Sequence, residues 1–521
     1  MAVRHAGMRL KDSSQTGMRH DRADVIIVGL GPTGATLANL LAECGVRVIV
    51  VDREAGIYDL PRAVHFDGET MRVFQCAGIS ESLSREVIVN PGMRFVDPHG
   101  EILLDWPRPK EIGPQGWHAS YRLHQPDLER LLRKKLARRP NVSVLTSTVA
   151  ISVNVRRQDV IVTCRNLRSG QTRSLSSSYV VGCDGARSLV RGVIGSEMFD
   201  LGFKERWLVV DVLLKDDRPD LGDHSIQYCS PDRPMTYCRS PKNRRRWEIA
   251  LRDDEADEQV TREEQVWSFL APWIEPGDAE LERRAVYTFR SEIAEIWRKG
   301  RLMIAGDAAH LTPPFMGQGM CTGIRDASNL AWKLALCVKG AVSCDILDSY
   351  QEERAPNARS FIETAMRLGR LINALDKRST LSLGSRDETG VASMETIAPP
   401  LGSSDVGGLI PADTPHKGRL FPQPMLEDGR LLDDAVGYNP ALIVRGALPR
   451  HVAATVPVVE CTDGSALAAA LAGLDTNAIL VRPDRYIAAS ARTEADVAAL
   501  AARALPSPVP GRASGEGSCA V

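Results

Sequence analysis

No CxxC pair occurs among the eleven cysteines of this 521-residue chain. Their odd number and scattered positions speak against a zinc site, a disulfide framework or a dithiol redox centre, and leave the thiols of a reducing compartment as the reading. No run reaches the roughly 18 to 20 apolar residues that a spanning helix needs. Residues 1–22 are polar and basic without an apolar segment, so they read as a disordered leader and not as a secretory signal. An excess of either charge is also missing: 65 Lys and Arg face 66 Asp and Glu, a net charge of −1. Such a chain has no global field to hold a polyanion or an anionic membrane, so neither is expected as a partner. With 43% hydrophobic and 25% charged residues, the composition is that of a soluble, cytoplasmic globular protein of roughly two to four domains.

What is present is local and ordered. Asp24 to Val28 is a short apolar run rich in β-branched residues, which predicts a buried parallel strand. It leads into Gly29-Leu-Gly31-Pro-Thr-Gly34. Ala35, Ala38, Leu41 and Ala42 then share one helical face, Gly45 ends the helix, and a second buried run from Val46 to Val51 ends at Asp52. Strand, glycine turn, helix, strand and acid in that order predict a dinucleotide site. The glycines let backbone N–H groups approach a pyrophosphate, and the acid accepts from an adenosine ribose. The motif does not separate FAD from NAD, because both carry the same ADP half.

Two later motifs each end a buried strand with a carboxylate beside a glycine: Cys183-Asp184-Gly185-Ala-Arg187 and Gly306-Asp307-Ala-Ala-His310. With all three in order, residues 24–375 resemble the group A flavoprotein aromatic hydroxylases of the para-hydroxybenzoate hydroxylase fold, and Pro61-Arg62-Ala63, Trp207-Leu-Val-Val-Asp211, Ser230-Pro-Asp-Arg-Pro234 and Gly317-Gln-Gly319 resemble, within them, the 3-(3-hydroxyphenyl)propionate hydroxylases. The resemblance implies a Rossmann-like α/β domain that binds FAD, interleaved with an antiparallel-sheet substrate domain and followed by a C-terminal thioredoxin-like domain. It implies hydroxylation of a phenol ortho or para to its hydroxyl, with NADH or NADPH and O2, through a flavin C4a-hydroperoxide. A heterocyclic or polyketide substrate, or a non-catalytic flavoprotein, remains an alternative reading.

Carried over by position, Gly29, Gly31, Gly34, Asp52 and Arg53 hold the ADP half, and Arg62 and Gln125 line the pyrophosphate and ribityl region. Asp184 touches both nucleotides, Gly306 and Asp307 bind the ribityl chain, and Gly317, Gly319 and Met320 open a helix toward the flavin. Pro314 and His65 are the candidate catalytic residues at the flavin edge. Tyr228, Tyr237, Trp247 and Pro314 are expected to bind the substrate. Arg325-Asp326 reads equally as an ion pair or a flavin contact, His310 as a structural histidine, and Lys242 to Arg246 as a charged hairpin turn. The expected organisation is residues 23–200 and 286–375 for FAD, with substrate strands near 92–118, and 201–285 for the substrate sheet. A linker at 376–404, the appendix at 405–505 and a tail at 506–521 complete it. A monomer or homodimer is expected. The appendix carries neither CxxC nor a flavin motif, so a chain stopped near Ser403 is expected to keep its chemistry if it folds.

Overall fold

The computed structural model describes residues 21–58, 61–373, 385–386, 392–394, 396–410, 414–448, 452–503 and 505–510. Residues 1–20 of the expected leader and most of the expected tail lie outside these residues, and Arg22, placed in the leader, opens the first strand. The architecture is mixed α/β, built on three main sheets. In the first, Arg22–Val28 lies between Val48–Val51 and Thr172–Gly182, with Leu302–Ile304 and Val142–Leu145 extending it, and all these neighbours run parallel. Val25, Ile26 and Ile27 are fully buried, as expected of strands covered on both faces. The helix Pro32–Glu43 packs on the long helix Gly319–Val338.

The second sheet has ten strands and is mainly antiparallel. Its centre is formed by Ala279–Ala294, Met198–Leu214, Arg244–Ala250, Met235–Arg239 and Ser225–Tyr228. The earlier hairpin Gly92–Val96 and Ile102–Pro107 joins it by a parallel pairing of Ser225–Tyr228 with Gly92–Val96. The sheet is buried on both sides. One face carries Leu208, Val210, Tyr237, Trp247 and Ile249 against Val266 and Leu270 of the helix Glu263–Leu270; the other bounds a cavity.

Part of the expected linker is structured. Ala392–Ser393 pairs with Ile102–Pro107, and Leu401 is buried with its N–H donated to Gly418 O at 2.9 Å. Polarity marked this stretch as a linker, but its few apolar residues are used as anchors. Beyond it, Val458–Cys461, Ala441–Arg445, Ala478–Val481 and Ile487–Ala491 form a third sheet, flanked by the helices Ala466–Gly473 and Glu494–Ala502. Its junction with the first sheet is charged and dry. Glu353 accepts from Arg482 Nη1 at 2.8 Å and from Lys333 Nζ at 2.7 Å, and Asp433 accepts from Arg72 Nε at 2.6 Å. Val406, Ile410, Tyr438, Leu442, Leu480 and Ala488 belong to the same apolar cluster as Val25 and Ile26.

Candidate active site

A cavity of about 800 Å³ is lined by residues of both large sheets, within the size range of small-molecule sites. At one end the backbone comes very close to itself. Gly29 has φ +104°, and a Cβ there would lie 2.2 Å from Cys183 O; a Cβ on Gly34 would lie 2.1 Å from Gly29 O. These two glycines serve strand and helix packing. Gly31 differs, because no protein atom lies within 4 Å of its Cβ position and it lines the cavity with Pro32 and Thr33. A side chain at 31 would project toward whatever occupies the N-terminus of Pro32–Glu43, where N–H groups and the helix dipole favour a phosphate. Asp52 is buried and accepts from Leu30 N at 2.6 Å and Glu54 N at 2.7 Å, so its carboxylate braces the turn. Arg53 points to solvent beside Glu54 and does not reach the cavity, contrary to its expected cofactor contact. The residue after a buried strand's last inward position faces out.

The two downstream acids part company. Asp184 does not line the cavity; its Oδ2 accepts from Leu189 N at 2.7 Å and caps the short helix Leu189–Ile194, while Cys183, Gly185, Ala186 and Arg187 face inward. Asp307 is exposed to the cavity and makes no hydrogen bond or ion pair with the described residues. Its turn is fixed from behind. Gly306 packs on Thr33, and its N–H donates to Asp326 Oδ2 at 3.0 Å. Asp326 also accepts from His310 Nε2 at 2.6 Å and Arg354 Nε at 2.9 Å. His310 is therefore structural, and Arg325 and Asp326 pair with other residues and not with each other. A carboxylate held rigidly, free of partners and facing the cavity is suited to polyol hydroxyls, each such bond being worth roughly 1.5–3 kcal/mol. Asp307→Ala is expected to weaken FAD binding at least about tenfold by titration of the apoprotein, with the unfolding temperature of that apoprotein unchanged.

Toward the other end, His65, Arg62, Gln125, Pro314, Gly317, Gly319 and Met320 all line the cavity. Gln125 Oε1 accepts from Arg62 N at 3.0 Å and Ala63 N at 2.7 Å, so it shapes the Pro61–Ala63 loop through its backbone. His65 Nδ1 faces Gly317 O at 3.2 Å and Nε2 faces Ser120 Oγ at 2.7 Å. A carbonyl only accepts, which places the proton on Nδ1 and leaves Nε2 to accept from Ser120. Burial pushes the imidazole down to about 4, with Arg108 and Arg122 adding to the effect against Asp67, so His65 is neutral at pH 7.

Sequence reasoning missed the two arginines. Arg122, opposite His65 in the strand pair, is 2% exposed; its Nε donates to Asn90 Oδ1 at 3.0 Å and its Nη2 to Ser225 Oγ at 3.2 Å. Arg108, 9% exposed, donates to Thr396 Oγ1 at 2.6 Å and lies over the Trp106 ring at 4.0 Å. Both line the cavity, and burial lowers each to about 10. Neither has a carboxylate within ion-pair distance among the described residues.

The expected substrate aromatics are on the wrong face. Tyr237 and Trp247 meet at a tilt with ring centroids 5.2 Å apart beneath the helix Glu263–Leu270, and Tyr228 accepts from Trp273 Nε1 at 3.0 Å on that side. Side chains alternate across a strand, so the cavity receives their neighbours Gln227, Thr236, Cys238, Arg246 and Glu248. The signal was in the sequence: polar residues at every second position of otherwise buried strands mark a lined cavity. The aromatic wall of the cavity comes instead from Trp106, Tyr287 and Phe289. The open Gly31 position at a helix N-terminus, the partnerless Asp307 and the Gly317–Gly319 turn at a second helix N-terminus together fit an elongated dinucleotide with a flavin head, so FAD suits the residues present.

A family model described as FAD binding domain matches residues 22–365. The probable NADH-specific resorcinol 4-hydroxylase of Rhodococcus jostii is 35% identical, over 95% of this chain and 97% of that protein. The 3-(3-hydroxy-phenyl)propionate/3-hydroxycinnamic acid hydroxylase of Burkholderia cenocepacia is 36% identical, over 80% of this chain and 78% of its own. Among solved structures, the flavin-dependent monooxygenase PieE in complex with FAD and substrate superposes with a TM-score of 0.75 at 22% identity, covering 92% of this chain and 97% of that one. A ternary complex of aklavinone-11 hydroxylase with FAD and aklavinone gives 0.73 at 24% identity, covering 92% and 98%. These structures share the fold.

Proposed function

The chain belongs to the FAD binding domain family, and we propose that it hydroxylates a phenol bearing an ionised carboxylate, with NADH as electron donor. It is an FAD-dependent aromatic monooxygenase. The FAD held here would supply hydride acceptance from NADH and activation of O2, chemistry that places one oxygen atom on the ring and releases the other as water.

The protein's own residues bind, orient and shield. The N–H groups around Gly31 and Thr33 hold the pyrophosphate and Asp307 the ribityl chain. Pro314, Trp106, Phe289 and Met316 line the cavity and would keep water from a ring bound there. Neutral His65, held between Gly317 O and Ser120 Oγ, shapes the cavity wall without adding a charge, and ionisation of the substrate hydroxyl raises electron density ortho and para to it. In this reading the mainly antiparallel sheet is the substrate lobe. The four-stranded sheet is a thioredoxin-like appendix, a reading supported by its parallel Ala441–Arg445 and Val458–Cys461 pair followed by antiparallel strands.

The observation that carries the substrate class is the pair of buried arginines with no carboxylate at ion-pair distance among the described residues. A buried cation is costly unless paired, and guanidinium forks match carboxylates in geometry. A substrate carboxylate would complete Arg108 and Arg122. The substrates in the name of the Burkholderia relative carry such a group, while resorcinol, in the name of the Rhodococcus relative, does not. The test compares a hydroxyphenylalkanoate with its neutral alcohol in stimulating NADH oxidation. Losing one partner of a buried charge pair costs about 2–5 kcal/mol, so the acid is expected to show a KM lower by about thirtyfold or more, and Arg122→Met to erase that preference. Equal KM values for acid and alcohol in the wild type would sink the assignment.

A further inference from the structure

The C-terminal domain reaches the cavity wall through an unbroken series of buried polar contacts that the reaction above does not use. Tyr486, 5% exposed, donates its O–H to Glu69 Oε1 at 2.6 Å. Glu69 Oε2 accepts from Arg325 Nε at 2.6 Å. Arg325 then donates through Nη2 to Asp67 Oδ2 at 2.5 Å and through Nη1 to Gln318 Oε1 at 3.0 Å. Gln318 closes the ring, its Nε2 donating to Asp67 Oδ2 at 3.1 Å.

The end of this series is well placed. Gln318 caps the helix Gly319–Val338, its carbonyl accepting from Thr322 N at 2.9 Å, and its neighbours Gly317 and Gly319 line the cavity. Asp67 shares a three-residue strand with His65, which is bonded to Gly317 O. The guanidinium of Arg325 thus sets both sides of the turn at once, and its orientation depends on Glu69.

We propose that Tyr486 is a positioning residue of the flavin site: acting through Glu69 and Arg325, it fixes Gln318 and so aims the first N–H groups of Gly319–Val338. This rests on reading the cavity as the FAD site. Without the phenolic O–H, Glu69 Oε1 loses its buried donor and the carboxylate is free to rotate, which releases one arm of the Arg325 fork. The pull of a helix N-terminus on an anion fades within the first turn. A small displacement of the turn therefore weakens the protein's hold on reduced, anionic flavin more than on the neutral oxidised form.

The experiment uses full-length Tyr486→Phe, with FAD titrated into the apoprotein and the midpoint potential of the bound flavin measured. Affinity for oxidised FAD is expected to fall about two- to threefold and that for reduced FAD about tenfold further, so that the potential moves negative. Glu69→Gln should reproduce the shift, and the double variant should add little to either single one. A folded Tyr486→Phe that unfolds at lower temperature yet keeps the wild-type potential would show a structural role alone and overturn the proposal. If Tyr486→Phe does not fold, the same two measurements on Glu69→Gln decide it. Wild-type apoprotein that takes up no FAD would refute the FAD reading itself, a separate failure.

Discussion

Gly31→Ala is expected to leave the unfolding of the apoprotein unchanged while weakening FAD about tenfold to a hundredfold, whereas Gly29→Ala and Gly34→Ala disrupt the fold itself. All three glycines belong to one motif, yet they meet different neighbours. At 31 the backbone has φ −71° and ψ −175°, which alanine adopts freely, and no protein atom lies within 4 Å of the new methyl group. The methyl meets only the pyrophosphate. Inserting a methyl into a filled contact costs about 1–3 kcal/mol, which sets the expected loss. At 29 and 34 the methyl would lie 2.2 Å and 2.1 Å from carbonyl oxygens. Strand or helix must move, and at 29 the positive φ adds strain of about 1–3 kcal/mol. Calorimetry of the three apoproteins beside FAD titration separates the cases; a Gly31→Ala apoprotein with a lowered unfolding temperature would contradict the division.

A chain ending at Ser403 is expected to lose its fixed tertiary structure and its FAD, seen as loss of the near-ultraviolet circular dichroism and of the yellow colour after gel filtration. The absence of a flavin motif after residue 403 suggests dispensability, but the packing argues otherwise. Val406, Ile410, Tyr438, Leu442, Leu480 and Ala488 are buried in one cluster with the strands of the first sheet. At about 1.5–3 kcal/mol for each large side chain, their loss is of the order of 10 kcal/mol, comparable to the whole stability of a typical domain. Arg72 also loses Asp433 and Phe421 O, and Glu353 loses Arg482. A soluble, FAD-loaded truncation with native dichroism would show that the junction is not needed.

What was legible in the sequence was local. The strand, glycine turn and helix at 22–43 and the turn at Gly306-Asp307 are set by residues adjacent in the chain, and the structure places them as read. Position within a motif did not foretell each side chain's task. Asp52, Gln125 and one oxygen of Asp184 are spent on neighbouring N–H groups, whereas Asp307 makes no side-chain bond to the described residues. Alternation along Met235–Arg239 and Arg244–Ala250 was visible, but period two does not say which face a helix covers and which a cavity. Tyr237 and Trp247 were assigned to the wrong one for that reason. Arg108 and Arg122 gain their meaning from the absence of a carboxylate, a property of space and not of sequence. The Arg72 to Asp433 pair joins residues 361 positions apart, beyond the reach of any pattern.

The first sheet seats Arg22–Val28 between strands made before and after a long excursion, and its parallel set is complete only with Leu302–Ile304. The second sheet likewise joins Ile102–Pro107 to Ala392–Ser393. Contact order is therefore high, and loop closure must precede most of the apolar gain. At about 5–20 residues per second of synthesis, the glycine turn leaves the ribosome long before its last neighbouring strand exists. The nascent N-terminal half carries exposed β-edges for many seconds, and the first sheet can close only once Leu302–Ile304 has been made.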